Sequence, residues 1–300
     1  MPSKDWKLAA LKALGRFGDP GPLRHAAGVS GGSISRAYRL TTEKGTYFFK
    51  WHRNAPPGFF AAEARGLDRL GRAAKTMRIP RVLAWDDPPE GGEGWILMEW
   101  IDSGTQGLSS RDAAERLGLG LAEIHRTRAE AFGLGEDNFI GILPQPNGWY
   151  RSWTDFYRER RLLPQIRLAS ERGLLPERRS RLLHRLCDRL DQWLERPDLR
   201  PSLLHGDLWN GNALADSGGV PCLIDPAAYY GDREVDLAFS EMFGGFPSRF
   251  YDAYNEAFPL PPEYSARKPL YQLYYLLVHL NLFGESYGPA VDRIIERYGG

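Results

Sequence analysis

Apolar and polar positions alternate with one period early in this chain and another later. Residues 5–14 carry an amphipathic helical pattern closed by Gly15. From Leu23 the pattern changes. Residues 35–40 and 46–51 are strand-like runs joined by the turn-rich Thr42-Glu43-Lys44-Gly45. A helix is predicted over about 59–70, then two further strands, 81–85 and 95–98, around a turn-rich 86–94. Past Met98-Glu99-Trp100-Ile101-Asp102, where Gly104 loosens the chain, helices take over.

Ser109 or Ser110 can cap a helix with Ala113, Leu117, Leu121 and Ile124 on one face, ending near His125-Arg126. Residues 132–147 read as a long irregular segment whose apolar and aromatic content suits an ordered, substrate-side loop. Residues 149–170 are helical in pattern, with Pro164 as a candidate break. Another helix runs from Pro176 to about Leu194. Asp236 opens an apolar helical face, and 247–298 reads as three aromatic-rich helices devoted to packing.

Composition narrows this picture. Three hundred residues allow one large domain or two lobes sharing a cleft, and 42% apolar residues can fill a sizeable core. The net charge of +1 excludes an electrostatic case for nucleic acid as partner. Cys187 and Cys222 fit small core residues better than a disulfide framework or a metal site. The first residues lack the apolar core of a signal peptide, and the run 273–283 is too short to span a bilayer. No membrane association and a cytoplasmic location are therefore expected, with oligomeric state left open.

The chemistry concentrates in Leu203-Leu204-His205-Gly206-Asp207-Leu208-Trp209-Asn210-Gly211-Asn212, followed after a turn by Leu223-Ile224-Asp225-Pro226. Asp207 and Asn212 stand five residues apart on an irregular loop between two apolar runs. This suits a carboxylate that orients a substrate hydroxyl, with an amide oxygen and a second carboxylate holding magnesium. Phosphoryl transfer needs such a set, because its catalysis is mostly positioning and neutralisation of charge on phosphate oxygens. Magnesium prefers a few hard oxygen ligands. The order and spacing of His205, Asp207, Asn212 and Asp225 resemble the catalytic loop of protein kinases.

That resemblance draws in residues upstream. Lys50, on a strand among aromatics, and Glu63, thirteen residues later on the next helix, match the lysine–glutamate pair that holds nucleotide phosphates. The small-residue turn with Gly31, Gly32 and Ser33 can cover phosphates through its backbone N–H groups, or serve as a plain hairpin turn. Backbone groups of Glu99, Trp100 and Ile101 fall where a hinge would face the adenine of ATP. Asp236 can cap its helix or reach back to the loop at His205, a structural role for both.

Several segments together resemble the fructosamine (ketosamine) kinases: the 205–212 loop with Trp209, Ile224-Asp225-Pro226, Tyr230-Gly-Asp-Arg-Glu234-Val-Asp236, Phe243-Gly-Gly-Phe246, and Ile140-Gly-Ile-Leu-Pro-Gln145-Pro-Asn147. The resemblance implies an α+β, protein-kinase-like two-lobe fold. A small antiparallel-sheet, nucleotide-binding N-lobe (1–101) and a mostly helical catalytic C-lobe (102–300) would share an active site in their cleft. It implies ATP and Mg2+ as cofactors and phosphorylation of a sugar hydroxyl on a small-molecule or protein-linked ketosamine, leading to deglycation. Asp207 would be the base, Asn212 and Asp225 the metal ligands, and Trp209, Asn210, Gln145, Arg233 and Glu234 the acceptor-side contacts. Some relatives carry a redox-active Cys in the phosphate-covering loop, where this chain has Ser33. An aminoglycoside or choline-type phosphotransferase and a non-catalytic nucleotide-binding module are the alternatives.

Overall fold

The computed structural model describes residues 5–29, 35–104 and 107–300. Gly31, Gly32 and Ser33, expected to form a phosphate-covering or plain hairpin turn, lie outside the described residues. The chain begins with α1 (Asp5–Phe17), β1 (His25–Val29), β2 (Arg36–Thr41), β3 (Thr46–Ala55), α2 (Phe59–Ala73), β4 (Val82–Asp86), β5 (Gly92–Glu99) and α3 (Arg111–His125). Short strands follow: β6 (Phe132–Leu134), β7 (Asn138–Ile140), β8 (Leu143–Gln145) and β9 (Gly148–Tyr150). Next come α4 (Trp153–Tyr157), α5 (Leu163–Glu171), α6 (Glu177–Asp188) and α7 (Asp191–Leu194). The remainder is β10 (Ser202–Leu204), β11 (Ala213–Ala215), β12 (Pro221–Leu223), β13 (Tyr229–Gly231), α8 (Glu234–Ser240), α9 (Ser248–Ala257), α10 (Tyr264–Phe283) and α11 (Gly288–Tyr298).

Contacts divide the chain into two compact units, one of 1–121, 211–226 and 247–253, the other of 122–210, 227–246 and 254–300. The expected single cut after Ile101 is a cut in chain order, whereas the first unit also gathers the β11–β12 hairpin. Ser217 N–H donates to the Asp102 carbonyl, Gly104 N–H to that of Ala215, and Arg78 pairs with Asp216. These bonds tie the hairpin to the unit that holds β1 to β5.

In the first unit five antiparallel strands run in the order β1-β2-β3-β5-β4. Alternation in β3 puts Tyr47, Phe49 and Trp51 into a core with Trp6, Ala9, Ala10, Ala13 and Leu14 of α1. Phe48 and Lys50 fall on the other face by the same period of two. Helix α1 runs past Gly15 and stops at Gly18, whose φ of 93° favours glycine. Strand β1 is an edge strand of small residues with no buried position, which gives hydrophobic patterning nothing to detect.

The second unit is mostly helical around a four-stranded sheet, β10-β13-β6-β9, with the β7–β8 hairpin beside it. Its core gathers Trp153, Phe156, Tyr157, Leu204, Tyr229, Phe239, Tyr271, Tyr274 and Tyr275. The segment expected to be irregular, 132–147, is instead built of three-residue strands, too short to display a period. The interruption expected at Pro164 takes the form of a π-helical turn at Arg158–Leu162, after which Pro164 falls in the first turn of α5 without ending the helical run. Among the described residues no helix is long and apolar enough to cross a membrane. Both cysteines are free and buried.

Candidate active site

Lys50 sits on central strand β3, paired with Ala37 of β2 and Ile96 of β5. Its Nζ donates to Glu63 at 2.9 and 3.0 Å and to Asp225 Oδ1 at 2.9 Å. Glu63 reaches it because Asp87 anchors the start of α2: the Phe60 and Ala61 N–H groups donate to the Asp87 carboxylate at 3.0 and 2.6 Å. That satisfies two of the orphan donors of the first turn, and Glu63 follows just beyond that turn. Side-chain exposures of 12% for Lys50 and 10% for Glu63 show how dry the pair is. Burial would lower the lysine pKa, but Asp225 and Glu63 outweigh it and raise the value, so the ammonium stays charged. For Glu63, burial pushes the carboxyl up, Lys50 opposes and the Asp225 charge adds.

Asp225 lies two residues past the end of β12. The pairing of β11 with β12 continues as an Ile224 N–H bond to the Asn212 carbonyl, so Asn212 stands across the hairpin from the residue before Asp225. Asp225 adopts φ of 54°, the left-handed region that few side chains other than Asn and Asp tolerate. Asn212 is buried and the Asp225 side chain is 37% exposed. A neutral amide oxygen and one carboxylate are hard donors of the kind magnesium takes, with its other positions left to phosphate and water. Among the described residues no three His, Cys, Asp or Glu side chains cluster as a metal centre, so a cation here would rest on few protein ligands.

The second unit holds the loop that starts at His205. Asp236, fully buried near the start of α8, accepts the N–H groups of His205 at 2.7 Å and Gly206 at 2.8 Å. Of the two expected roles for Asp236, the reach back to the loop is therefore the one seen. The Gly206 carbonyl accepts Tyr275 Oη at 2.7 Å and the His205 carbonyl accepts Ala227 N–H at 2.9 Å. Gly206 has φ of 80°, and a Cβ there would lie 2.1 Å from the Ala227 carbonyl oxygen, so only glycine fits. Asp207, half-buried, donates its own N–H to His205 Nδ1 at 3.3 Å. A rigid dipeptide thus presents a carboxylate that is not itself sealed from solvent.

Behind Asp236 lies His125, fully buried, with Nε2 3.1 Å from Asp236 Oδ2 and Nδ1 2.8 Å from Tyr254 Oη. Arg233 donates to Tyr254 Oη at 3.0 Å. A tyrosine that accepts from arginine donates to Nδ1, which leaves the His125 proton on Nε2, facing the carboxylate. Burial lowers the His125 pKa, with Asp236 opposing.

The expected acceptor contacts separate. Trp209 and Asn210 are half-buried and exposed, and the Trp209 ring meets Phe243 edge-on at 6.4 Å. Phe243 has φ of 54° and is 46% exposed, with its ring 4.9 Å from that of His279. Gln145 and Glu234, by contrast, have no exposed surface. Glu234 pairs with Arg196 and Arg267, the latter through two bonds of 2.8 Å. Arg233 lies over the Phe258 ring at 3.7 Å and donates to the Phe258 carbonyl. A dissolved acceptor cannot reach Gln145 or Glu234, which corrects the sequence expectation for those two, while Arg233 remains partly exposed.

At the hinge positions, β5 ends at Glu99. Its N–H donates to the Arg81 carbonyl and its carboxylate accepts the Arg81 N–H, so this backbone donor is committed to the sheet. Trp100 stacks near Phe48 at 6.3 Å beneath the Arg39 guanidinium, and Ile101 follows beyond the strand. Sequence reasoning missed the hydroxyls of α10. Tyr271, Tyr274 and Tyr275 were read as packing, yet they donate to Asp232, Gln145 and the Gly206 carbonyl. Their three-and-four spacing shows a shared face but not that its hydroxyls are used.

Comparison with known proteins identifies the family. The fructosamine kinase family model matches residues 6–299. A protein of Lactiplantibacillus plantarum described as a probable ketoamine kinase is 45% identical over 90% of this chain and 92% of its own. The chloroplastic protein-ribulosamine 3-kinase of Arabidopsis thaliana is 35% identical over 99% of this chain and 87% of its own. A Thermobifida fusca structure assigned as a fructosamine-3-kinase superposes with a TM-score of 0.85 at 38% identity, covering 97% of each chain. Aminoglycoside phosphotransferase APH(4)-Ia, solved with ADP and hygromycin B, shares the fold alone, at a TM-score of 0.63 and 18% identity over 96% of this chain and 97% of that one. An antiparallel-sheet unit, a helical unit with a pinned catalytic-type loop, and a family match along almost the whole length lead to one assignment: this α+β, protein-kinase-like chain belongs to the fructosamine kinase family.

Proposed function

We propose that this protein is an ATP-dependent kinase that phosphorylates a sugar hydroxyl of ketosamines, the step that leads to deglycation. Family membership and the names of its ketoamine and ribulosamine kinase relatives support the substrate class. The observation that carries the chemistry is Lys50, charged and dry between Glu63 and Asp225.

In this reading Asp207 accepts the proton of the sugar hydroxyl as its oxygen bonds to the γ-phosphorus and the bond to ADP breaks. Lys50 offsets charge on the phosphate oxygens, and Glu63 fixes the direction of its ammonium. Asn212 and Asp225 would hold magnesium, which supplies further neutralisation of phosphate charge when bound. Trp209, with Phe243 beside it, offers an aromatic wall for the acceptor, and Asn210 an exposed amide. A cytoplasmic location goes with this reading, supported by two buried, unpaired cysteines.

A coupled ADP-release assay with fructosyl-lysine, ribulosyl-lysine, kanamycin and choline tests it. Release with the ketosamines alone is expected. Release confined to kanamycin or choline would overturn the acceptor class and keep the kinase. No release with any acceptor, together with no thermal shift by ATP and magnesium, would overturn both.

A further inference from the structure

The Leu143-Pro144-Gln145-Pro146-Asn147 motif has no place in the mechanism so far, because Gln145 is sealed from solvent. We propose that Gln145 is a positioning residue for Asp207, acting through the Ala227 carbonyl and Gly206. This rests on the assignment of Asp207 as the base.

The Gln145 amide is held on both sides. Its Oε1 accepts Tyr274 Oη at 2.7 Å, and its Nε2 donates to Asn138 Oδ1 at 2.8 Å and to the Ala227 carbonyl at 3.2 Å. Two acceptors on one side and a hydroxyl on the other fix which way the amide points. Asn138 donates to the next carbonyl, Ala228, at 3.0 Å. Two consecutive carbonyls are therefore held by side chains of one hairpin, β7–β8. The hairpin is braced in turn: Asn147 Nδ2 donates to Asn138 Oδ1 at 2.9 Å, and buried Arg161 donates to Asn147 Oδ1 at 2.9 Å and to the Pro146 carbonyl at 2.8 Å.

What this holds still is the surface against which the catalytic loop bends. Ala227 N–H supports the His205 carbonyl, and the Ala227 oxygen leaves no room for a Cβ at Gly206. The other polar backbone groups of His205 and Gly206 go to Asp236 and Tyr275, so the accounting is complete. A loop with every backbone group engaged transmits a shift of Ala227 to the next residue, Asp207. Misplacing a reacting group by about 1 Å can cost on the order of 10²-fold in rate.

The test compares Gln145→Met, which keeps length and removes the amide, with Tyr274→Phe, which removes only the hydroxyl that orients it. Turnover and KM for ATP and for ketosamine are measured, with hydrogen exchange of the 203–209 segment in the enzyme without acceptor. Expected are a kcat loss of about 10- to 100-fold in Gln145→Met, a smaller loss in Tyr274→Phe, KM values within about twofold, and faster exchange at 205–207. A raised acceptor KM with kcat kept would overturn the proposal in favour of direct substrate contact. Unchanged kcat per folded molecule, or unchanged exchange, would overturn it in favour of a packing role. If Gln145→Met does not fold, Tyr274→Phe decides alone by the same readouts. Because exchange needs no acceptor, a wild-type enzyme inactive on ketosamines would sink the substrate assignment while exchange still decides the positioning.

Discussion

The Lys50 ammonium donates to both carboxylate oxygens of Glu63, at 2.9 and 3.0 Å, although the two residues lie on different elements thirteen positions apart. Asp225, 175 positions away in sequence, shares the same ammonium. One cation is shared by two carboxylates, of which Glu63 is nearly dry and Asp225 partly open to solvent.

Lys50→Met should therefore damage more than nucleotide handling. It leaves Glu63 and Asp225 facing each other without a counter-charge, and removing one partner of a buried pair costs about 3–5 kcal/mol. Expected are a lower Tm and a loss of roughly 10²-fold or more in kcat/KM for ATP. Glu63→Gln, which keeps the Asp225 contact, should lose less. Steady-state kinetics and thermal unfolding read both, and equal values for the two variants would refute the shared-cation picture.

Asp207 is half-buried, next to a His205-Gly206 backbone that Asp236 and Tyr275 pin. Asp207→Asn should keep the fold and the thermal shift given by ATP, while kcat falls about 10²- to 10⁴-fold, the range of general-base contributions. Turnover near wild type would remove Asp207 from the mechanism.

At Asp225 two effects can be separated. Asn tolerates the left-handed φ of 54° but supplies no charge, whereas Ala also strains the backbone by about 1–3 kcal/mol. Asp225→Asn should keep Tm close to wild type and raise the magnesium needed for half-maximal rate by tenfold or more, since it removes the one anionic oxygen. Asp225→Ala should lose Tm as well. Chelation by EDTA should abolish wild-type activity, and activity that survives it would count against the metal role.

His125 gives a pH dependence of stability. Burial holds its pKa below the ordinary histidine value of 6.5, so the unfolded chain binds a proton there more readily than the folded protein does. Stability from this group is present above that value and is lost as pH falls through it. Tm of the wild type should drop more between pH 7 and pH 5 than that of His125→Gln, which cannot titrate. Parallel Tm profiles would show that His125 does not contribute.

Lys50, Glu63, Asp207, Asn212 and Asp225 stood out as candidates because phosphoryl transfer demands particular residue types at short, ordered spacings, and the structure brings Lys50, Glu63 and Asp225 together. Strands β2 to β5 and helix α2 were legible from hydrophobic period alone. The segment 132–150 was not, since strands of three residues display no period and draw their order from neighbours. Gln145 and Glu234 were misjudged for a related reason. Polar residues in a candidate loop look available to a substrate until burial is known, and here Arg196 and Arg267 take up Glu234 while Tyr274 takes up Gln145.

The sequence by itself singled out the candidates: the carboxylates, the lysine and the amide that the proposed mechanism brings to a phosphate. Local order and spacing suffice for that, because each motif is only a few residues long. Only the tertiary structure decided which polar residues stay open to solvent and which are consumed in holding the loop. Those outcomes depend on pairings such as Gln145 with Ala227 and Asp236 with His205, made across 82 and 31 positions by desolvation and hydrogen-bond satisfaction that no local pattern records.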